Sequence, residues 1–422
     1  MSLRVEPEIA DLDSRIRTYH TLHFLAFRQS LASSVIKLPE NLHEAVTCIA
    51  RLQLNDVIEF SSPFFWFNLR QILSLEVSPD SPLVVEKNAC HLVASAIDCL
   101  ASKLSPECRI PNLSGCEIDV CFPTLGFALR HQEADACEAA PDIEKLLLFR
   151  TLLRSSRIDE NWQAKAHPVL RFDIPGVSRA HVLADTSPSI LDPSLASEVV
   201  ADHGYGVELA RQLGEAIALI GEIWPELHEA LCRRVTWYVP IRKPSPDVHC
   251  SFTSAQQGAV IFLSTAPDPL RLAEAIVHEF SHIKLNVVAE IEGLSTNPDP
   301  QDLYSPWRPD PRPLHGLIHA LFVFIEVDKF LSRCQAIRDA ASYLTKRQRL
   351  IRQRLMIGRE QVPEGRLSRL GLAVFSRICD YVDGLNAVED CVAFDSDILG
   401  HLNTWRSSHP DLHLRGFAGL GT

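Results

Sequence analysis

The stretch AEAIVHEFSHIKLN, residues 273–286, constrains this chain more than any other. Ala273, Ile276, Phe280, Ile283 and Val287 recur at intervals of three and four, the stripe of a helix with one buried side. Asp268 is a natural N-cap and Pro269 a natural first helical residue, so the spacing predicts a helix over 269–291. His278 and His282 then stand one turn apart, to one side of the stripe, where both imidazoles can reach a single ion. With Glu279 they complete the pattern HExxH. Two runs before this helix, RVTWYVPI (234–241) and GAVIFLS (258–264), read as strands.

The rest of the chain is mostly helical in texture. RTYHTLHFLAFRQSLASSVIKL, LHEAVTCIARLQL, CHLVASAIDCLASKL and DIEKLLLFRTLLRSSR carry helical periodicity, while CEIDVCFPTLGFALRH looks like strand and turn. Short β-rich runs broken by Pro and Gly follow in HPVLRFDIPGVSRAHVLADTSPS, and then the long amphipathic LASEVVADHGYGVELARQLGEAIALIGEIWPEL. A Pro-rich stretch, STNPDPQDLYSPWRPDPRPLHG, separates the HExxH helix from LHGLIHALFVFIEVDKFLSRC, and two basic helical segments close the chain. The expected fold class is mainly α with a small β-sheet (α+β). A zincin-like HExxH helix sits in a catalytic core at 161–340, flanked by helical regions at 1–160 and 341–422.

Composition narrows the partners. Across 422 residues, 46% hydrophobic and 22% charged, the formal charge is −12, which gives no basic field for nucleic acid or an anionic membrane. MSLRVEPEIADLDSR lacks the apolar run of a signal peptide, and no segment reaches about 18 apolar residues without charge. The expectation is a soluble, cytoplasmic protein. Its twelve cysteines include no CxxC pair and read as reduced, mostly buried thiols.

Two histidines do not make a useful metal site, so the third ligand matters. A metzincin would continue with Gly and His where this chain has Leu285 and Val288, which excludes that class. A zinc peptidase would use Glu279 as general base and a downstream carboxylate, with Glu290, Glu292 and Glu326 as candidates. His315 and His319, again four apart, are the alternative ligands. Arg308 and Arg312 lie in the Pro-rich stretch just before them, where guanidinium forks suit bidentate capture of a carboxylate or structural pairing with Asp302 or Asp310.

HEFSHIKL (278–285) and WRPDPRPLHGLIHALFVF (307–324), and more weakly GAVIFLS and HVLADTSPS, resemble the α-ketoglutarate-dependent HExxH-type peptide β-hydroxylases found with ribosomally made, post-translationally modified peptides in bacteria. The resemblance spans about 160–335. It implies a dioxygenase that uses Fe(II), α-ketoglutarate and O2 to hydroxylate Cβ of a residue in a ribosomal precursor peptide. His278, His282 and His319 would ligate the metal, and Arg312 then Arg308 would take the distal carboxylate of α-ketoglutarate. Glu279 and His315 would orient neighbouring groups. Zinc belongs to the peptidase alternative, and a non-catalytic peptide-binding scaffold is a third reading. The run at 258–264 is expected to offer an edge to an extended peptide.

Overall fold

The computed structural model describes residues 6–33, 40–55, 63–74, 82–100, 120–123, 127–129, 166–185, 193–243, 248–296, 299–336, 340–386 and 395–412, with residues 38, 57, 245 and 414. The helix expected at 142–157, the end of HVLADTSPS and the boundary near 160 lie outside them. The described part is mainly helical with a small mixed sheet. Among the described residues no helix is long and apolar enough to cross a membrane.

The chain divides into two compact units, Met1–Ala218 with Ala230–Pro269, and Leu219–Glu229 with Leu270–Thr422. The first unit holds α1 (Glu6–Ala32), α2 (Glu40–Ala50), α3 (Pro63–Ser74) and α4 (Pro82–Leu100). Helix α3, PFFWFNLRQILS, was not anticipated and starts on a proline, which gives up no helical bond there. Phe24, Phe27, Phe65, Leu69, Cys90 and Val93 form the buried core of these helices. A three-stranded sheet follows, of β1 (Val120–Phe122), β2 (Phe127–Leu129) and β3 (Ala166–Pro168), its first two strands realising the strand and turn read from 116–131.

The larger sheet runs in the order β4 (Arg171–Asp173), β5 (His181–Leu183), β6 (Trp237–Pro240), β8 (Val260–Leu263), β7 (Ser251–Phe252). Strands β6 and β8 are the two expected runs. They pair in parallel with Trp237 opposite Val260 and Val239 opposite Phe262, and every residue in both is buried. Continuous apolar sequence suits strands covered on both faces. On its other side β8 pairs with β7 only through Phe262 and Leu263, so the latter part of the run expected to offer a peptide edge at 258–264 is already occupied. Phe64 of α3 packs with Leu183, Trp237 and Phe262 in one core, so helical N-terminal residues and sheet share a single unit. Helices α5 (His203–Ile223) and α6 (Pro225–Arg234) complete the elements that precede the HExxH helix.

In the second unit, α7 (Pro269–Glu292) begins at the expected proline and carries HExxH in its middle. Gly293, at φ +70°, ends it in the left-handed conformation that glycine tolerates. A hairpin of β9 (Leu303–Ser305) and β10 (Arg308–Arg312) occupies the Pro-rich stretch expected to be a loop. Two prolines are compatible with this strand because it is an edge whose register shifts between Arg308 and Arg312. Helices α8 (Leu314–Arg333), α9 (Ala341–Glu360), α10 (Arg369–Asn386) and α11 (Ser396–Ser408) follow. Asp328 of α8, with no exposed surface, takes Nε of Arg352 at 3.0 and 3.1 Å and the Tyr381 hydroxyl at 2.6 Å. It thereby ties α8, α9 and α10 together across position 341, where sequence texture suggested a boundary.

Candidate metal centre

Helices α7 and α8 supply every histidine that the sequence put forward. His278 and His282 have ring centroids 4.9 Å apart, tilted by 70°. The ring of His319 lies 5.7 Å from that of His282 at 18°, and the two Nδ1 atoms are 3.4 Å apart. Two imidazole nitrogens bound tetrahedrally to one ion at about 2.0–2.1 Å stand about 3.4 Å from each other, so this pair already has the spacing of two ligands. His278 packs edge-on against Phe324, 5.0 Å between centroids. Among the described residues no three His, Cys, Asp or Glu side chains are gathered closely enough to hold an ion as they stand. Metal binding here would turn at least one of the three rings.

Burial keeps these imidazoles neutral. Loss of water lowers the pKa of His278 to about 3, with His282 and Arg347 adding to the effect, and lowers His282 to about 4. His319 falls to about 3 through burial, then through His282 and His315. The neutral ring is the form with a lone pair for a metal.

Two of the three competing carboxylates, Glu326 and Glu292, have cationic partners, and the third, Glu290, is exposed. Glu326 takes the Lys284 ammonium at 2.5 Å and that of Lys329 at 2.9 Å, one on each oxygen. Burial alone would raise its pKa, but the two lysines outweigh that and hold it at about 2. Glu292 accepts from Arg369 at 3.2 Å. Glu279 is buried, 3% exposed, and is engaged within the protein.

His315 is held by a different partner from the other histidines. Its side chain is 57% exposed, with Nδ1 2.8 Å from Asp299. Asp299 also accepts the backbone N–H groups of Leu314 at 2.7 Å and His315 at 3.1 Å, capping α8 from 15 residues upstream. Arg366 grips both oxygens of Asp302 at 3.0 and 2.9 Å, so that carboxylate is not the partner of Arg308 or Arg312. Arg312 donates to Asp310 at 3.1 Å. A Cβ added to Gly316 would lie 3.5 Å from its Nε and Nη2, which places the guanidinium against the first turn of α8, three residues before His319. Arg308 is exposed.

Sequence reading missed Arg347. Its Nε donates to Glu274 at 2.8 Å, and the Tyr343 hydroxyl donates to the other oxygen at 2.5 Å. Glu274 stands one turn before His278 on α7. The guanidinium carbon lies 6.0 Å from the centre of the Phe324 ring, and Trp307 stacks on that ring at 4.8 Å and 4°. The available signal was the spacing of Arg347, Arg354 and Gly358, which share one helical face. Compared with protein-family models and with curated proteins, the chain matches none.

Proposed function

We propose that this protein is a cytoplasmic, Fe(II)- and α-ketoglutarate-dependent dioxygenase that hydroxylates Cβ of a residue in a ribosomally made precursor peptide. The observation that carries the reading is that a third histidine, His319, stands beside His282 while Glu326 and Glu292 are engaged by lysine and arginine. Imidazole ligands suit Fe(II), and a three-histidine set leaves positions for a chelating cosubstrate and oxygen. When bound, the metal would supply the oxidising chemistry together with α-ketoglutarate and O2.

The remaining roles belong to the chain. His278, His282 and His319 would hold the metal on a zincin-like helix and the helix packed beside it. Arg312, with Arg308 after it, would receive the distal carboxylate, since a guanidinium fork matches that group. Phe324 covers His278 with aromatic surface, and Trp307 stacks on Phe324 behind it, which would keep water from that side. Glu279, buried in α7, orients its neighbours and is not required as a base on water.

Anaerobic titration of Fe(II)-loaded protein with α-ketoglutarate tests the reading. The visible charge-transfer band of a chelated keto acid is expected, weakened in Arg312→Ala and absent in His319→Ala. A wild type that shows no band, retains zinc through purification and cleaves peptides until Glu279→Gln is introduced would overturn it in favour of a zinc peptidase. Peptide binding that survives His278→Ala without any turnover in the wild type would instead mark a scaffold.

A further inference from the structure

We propose that Arg347 grips the side-chain carboxylate of an aspartate in the peptide, beside the metal-binding histidines, and so selects the residue that is modified. That the gripped residue is the one oxidised rests on the proposed function; the grip itself rests on the geometry around Arg347.

Glu274 holds one edge of this guanidinium. Its Oε1 lies 2.8 Å from Nε and 2.7 Å from Nη2 of Arg347, while the Tyr343 hydroxyl donates to Oε2 at 2.5 Å. Both oxygens are thereby taken, and the glutamate side chain is only 9% exposed. The arginine side chain is 27% exposed, and among the described residues its Nη1 makes no hydrogen bond. A guanidinium carries five N–H donors, so the end-on pair from Nη1 and Nη2 is left for a second carboxylate. Because Glu274 fixes the direction of that fork in advance, little side-chain freedom is lost when a ligand arrives.

The fork stands next to the histidines. Glu274 precedes His278 by one turn of α7, and the guanidinium carbon lies 6.0 Å from the centre of the Phe324 ring, which meets His278 edge-on at 5.0 Å. Arg347 also acts electrostatically on His278. Glu274 does not exhaust the positive charge there. Arg354, further along α9, is repelled by Arg347 more strongly than either Asp397 or Asp395 attracts it. Two guanidinium groups therefore share one buried carboxylate, and the excess charge favours an anion.

Arg312, assigned above to the cosubstrate, lies on β10 against the first turn of α8 and pairs with Asp310, so the two forks are separate. The aspartate carboxylate is bonded directly to Cβ, and holding it fixes the carbon to be oxidised. A residue that served only to tie α9 to α7 would use the edge facing Glu274 and leave the other without a role.

Ligand-observed NMR titration of the full chain, stripped of metal with EDTA, compares acetyl-Ala-Asp-Ala-amide with its Asn counterpart. The Asp peptide should bind about tenfold to a hundredfold tighter, the gain expected for one charged hydrogen-bonded pair. Arg347→Lys keeps the charge and the ion pair with Glu274 but has no second edge, and should remove most of that preference. The double variant Glu274→Gln, Arg347→Gln keeps a neutral pair in place and should remove all of it. In Fe(II)-loaded protein, Arg347→Lys should leave the keto acid band unchanged. Equal binding of the two peptides, a preference that survives in either variant with native near-UV dichroism, or a band weakened in Arg347→Lys overturns the proposal. The peptide comparison needs no metal: Asp preference without a keto acid band sinks the oxygenase reading alone, and a band without Asp preference sinks this proposal alone.

Discussion

His319 reaches His282 across 37 residues of chain, Nδ1 to Nδ1 at 3.4 Å. His315, one turn earlier on the same helix, is instead held by Asp299. Under the proposed reading, His319→Ala weakens Fe(II) or Co(II) binding by more than the roughly 10–100-fold typical of an outer partner, while His315→Ala leaves it unchanged. Metal titration followed by Co(II) absorption checks this, and equal losses in the two variants would contradict it.

Glu326 and its two lysines make a buried ionic cluster between α7 and α8. Glu326→Ala strands two ammonium groups and should lower stability by about 3–5 kcal/mol. The double variant Glu326→Leu, Lys284→Met removes one of those stranded charges and should recover much of that loss, although Lys329 remains. Urea unfolding of both variants gives the comparison.

Asp328 is the corresponding hub of α8, α9 and α10. Asp328→Asn removes a buried carboxylate that both Arg352 Nε and the Tyr381 hydroxyl donate to, and should cost about 3–5 kcal/mol. Asp310→Asn removes only an exposed pair with Arg312, and should cost less than about 1 kcal/mol. Parallel thermal melts would show the contrast.

Asp299 links stability to pH. Burial would raise its pKa, but hydrogen bonds from Ser295, His315 and Leu314 outweigh burial and bring it to about 2 from 3.8. The folded pKa lies below the unfolded one, so the contribution is complete above about pH 4 and is lost as pH falls towards 2. The gap corresponds to roughly 2 kcal/mol at neutral pH. Asp299→Asn should therefore be less stable than wild type at pH 7, with the difference shrinking below pH 4 in urea titrations at stepped pH.

Gly371 lets α10 start against the end of α7. A Cβ there would meet the Leu294 carbonyl oxygen at 2.0 Å, so Gly371→Ala must displace backbone and should cost about 1–3 kcal/mol or more in thermal unfolding.

The sequence by itself determined the HExxH helix from Pro269, the two buried strands before it and the helix from Leu314, because periodicity and capping are set within a few neighbouring residues. It raised His315, His319, Glu290, Glu292 and Glu326 as candidates for the third ligand, with His319 preferred through the family resemblance. Only tertiary structure separated them, since Asp299, His282, Arg369 and Lys284 reach their partners from 16, 37, 77 and 42 residues away. The same holds for Arg347, whose bond to Glu274 spans 73 residues. A side chain's type is local, but its partner is chosen by how helices and hairpin pack.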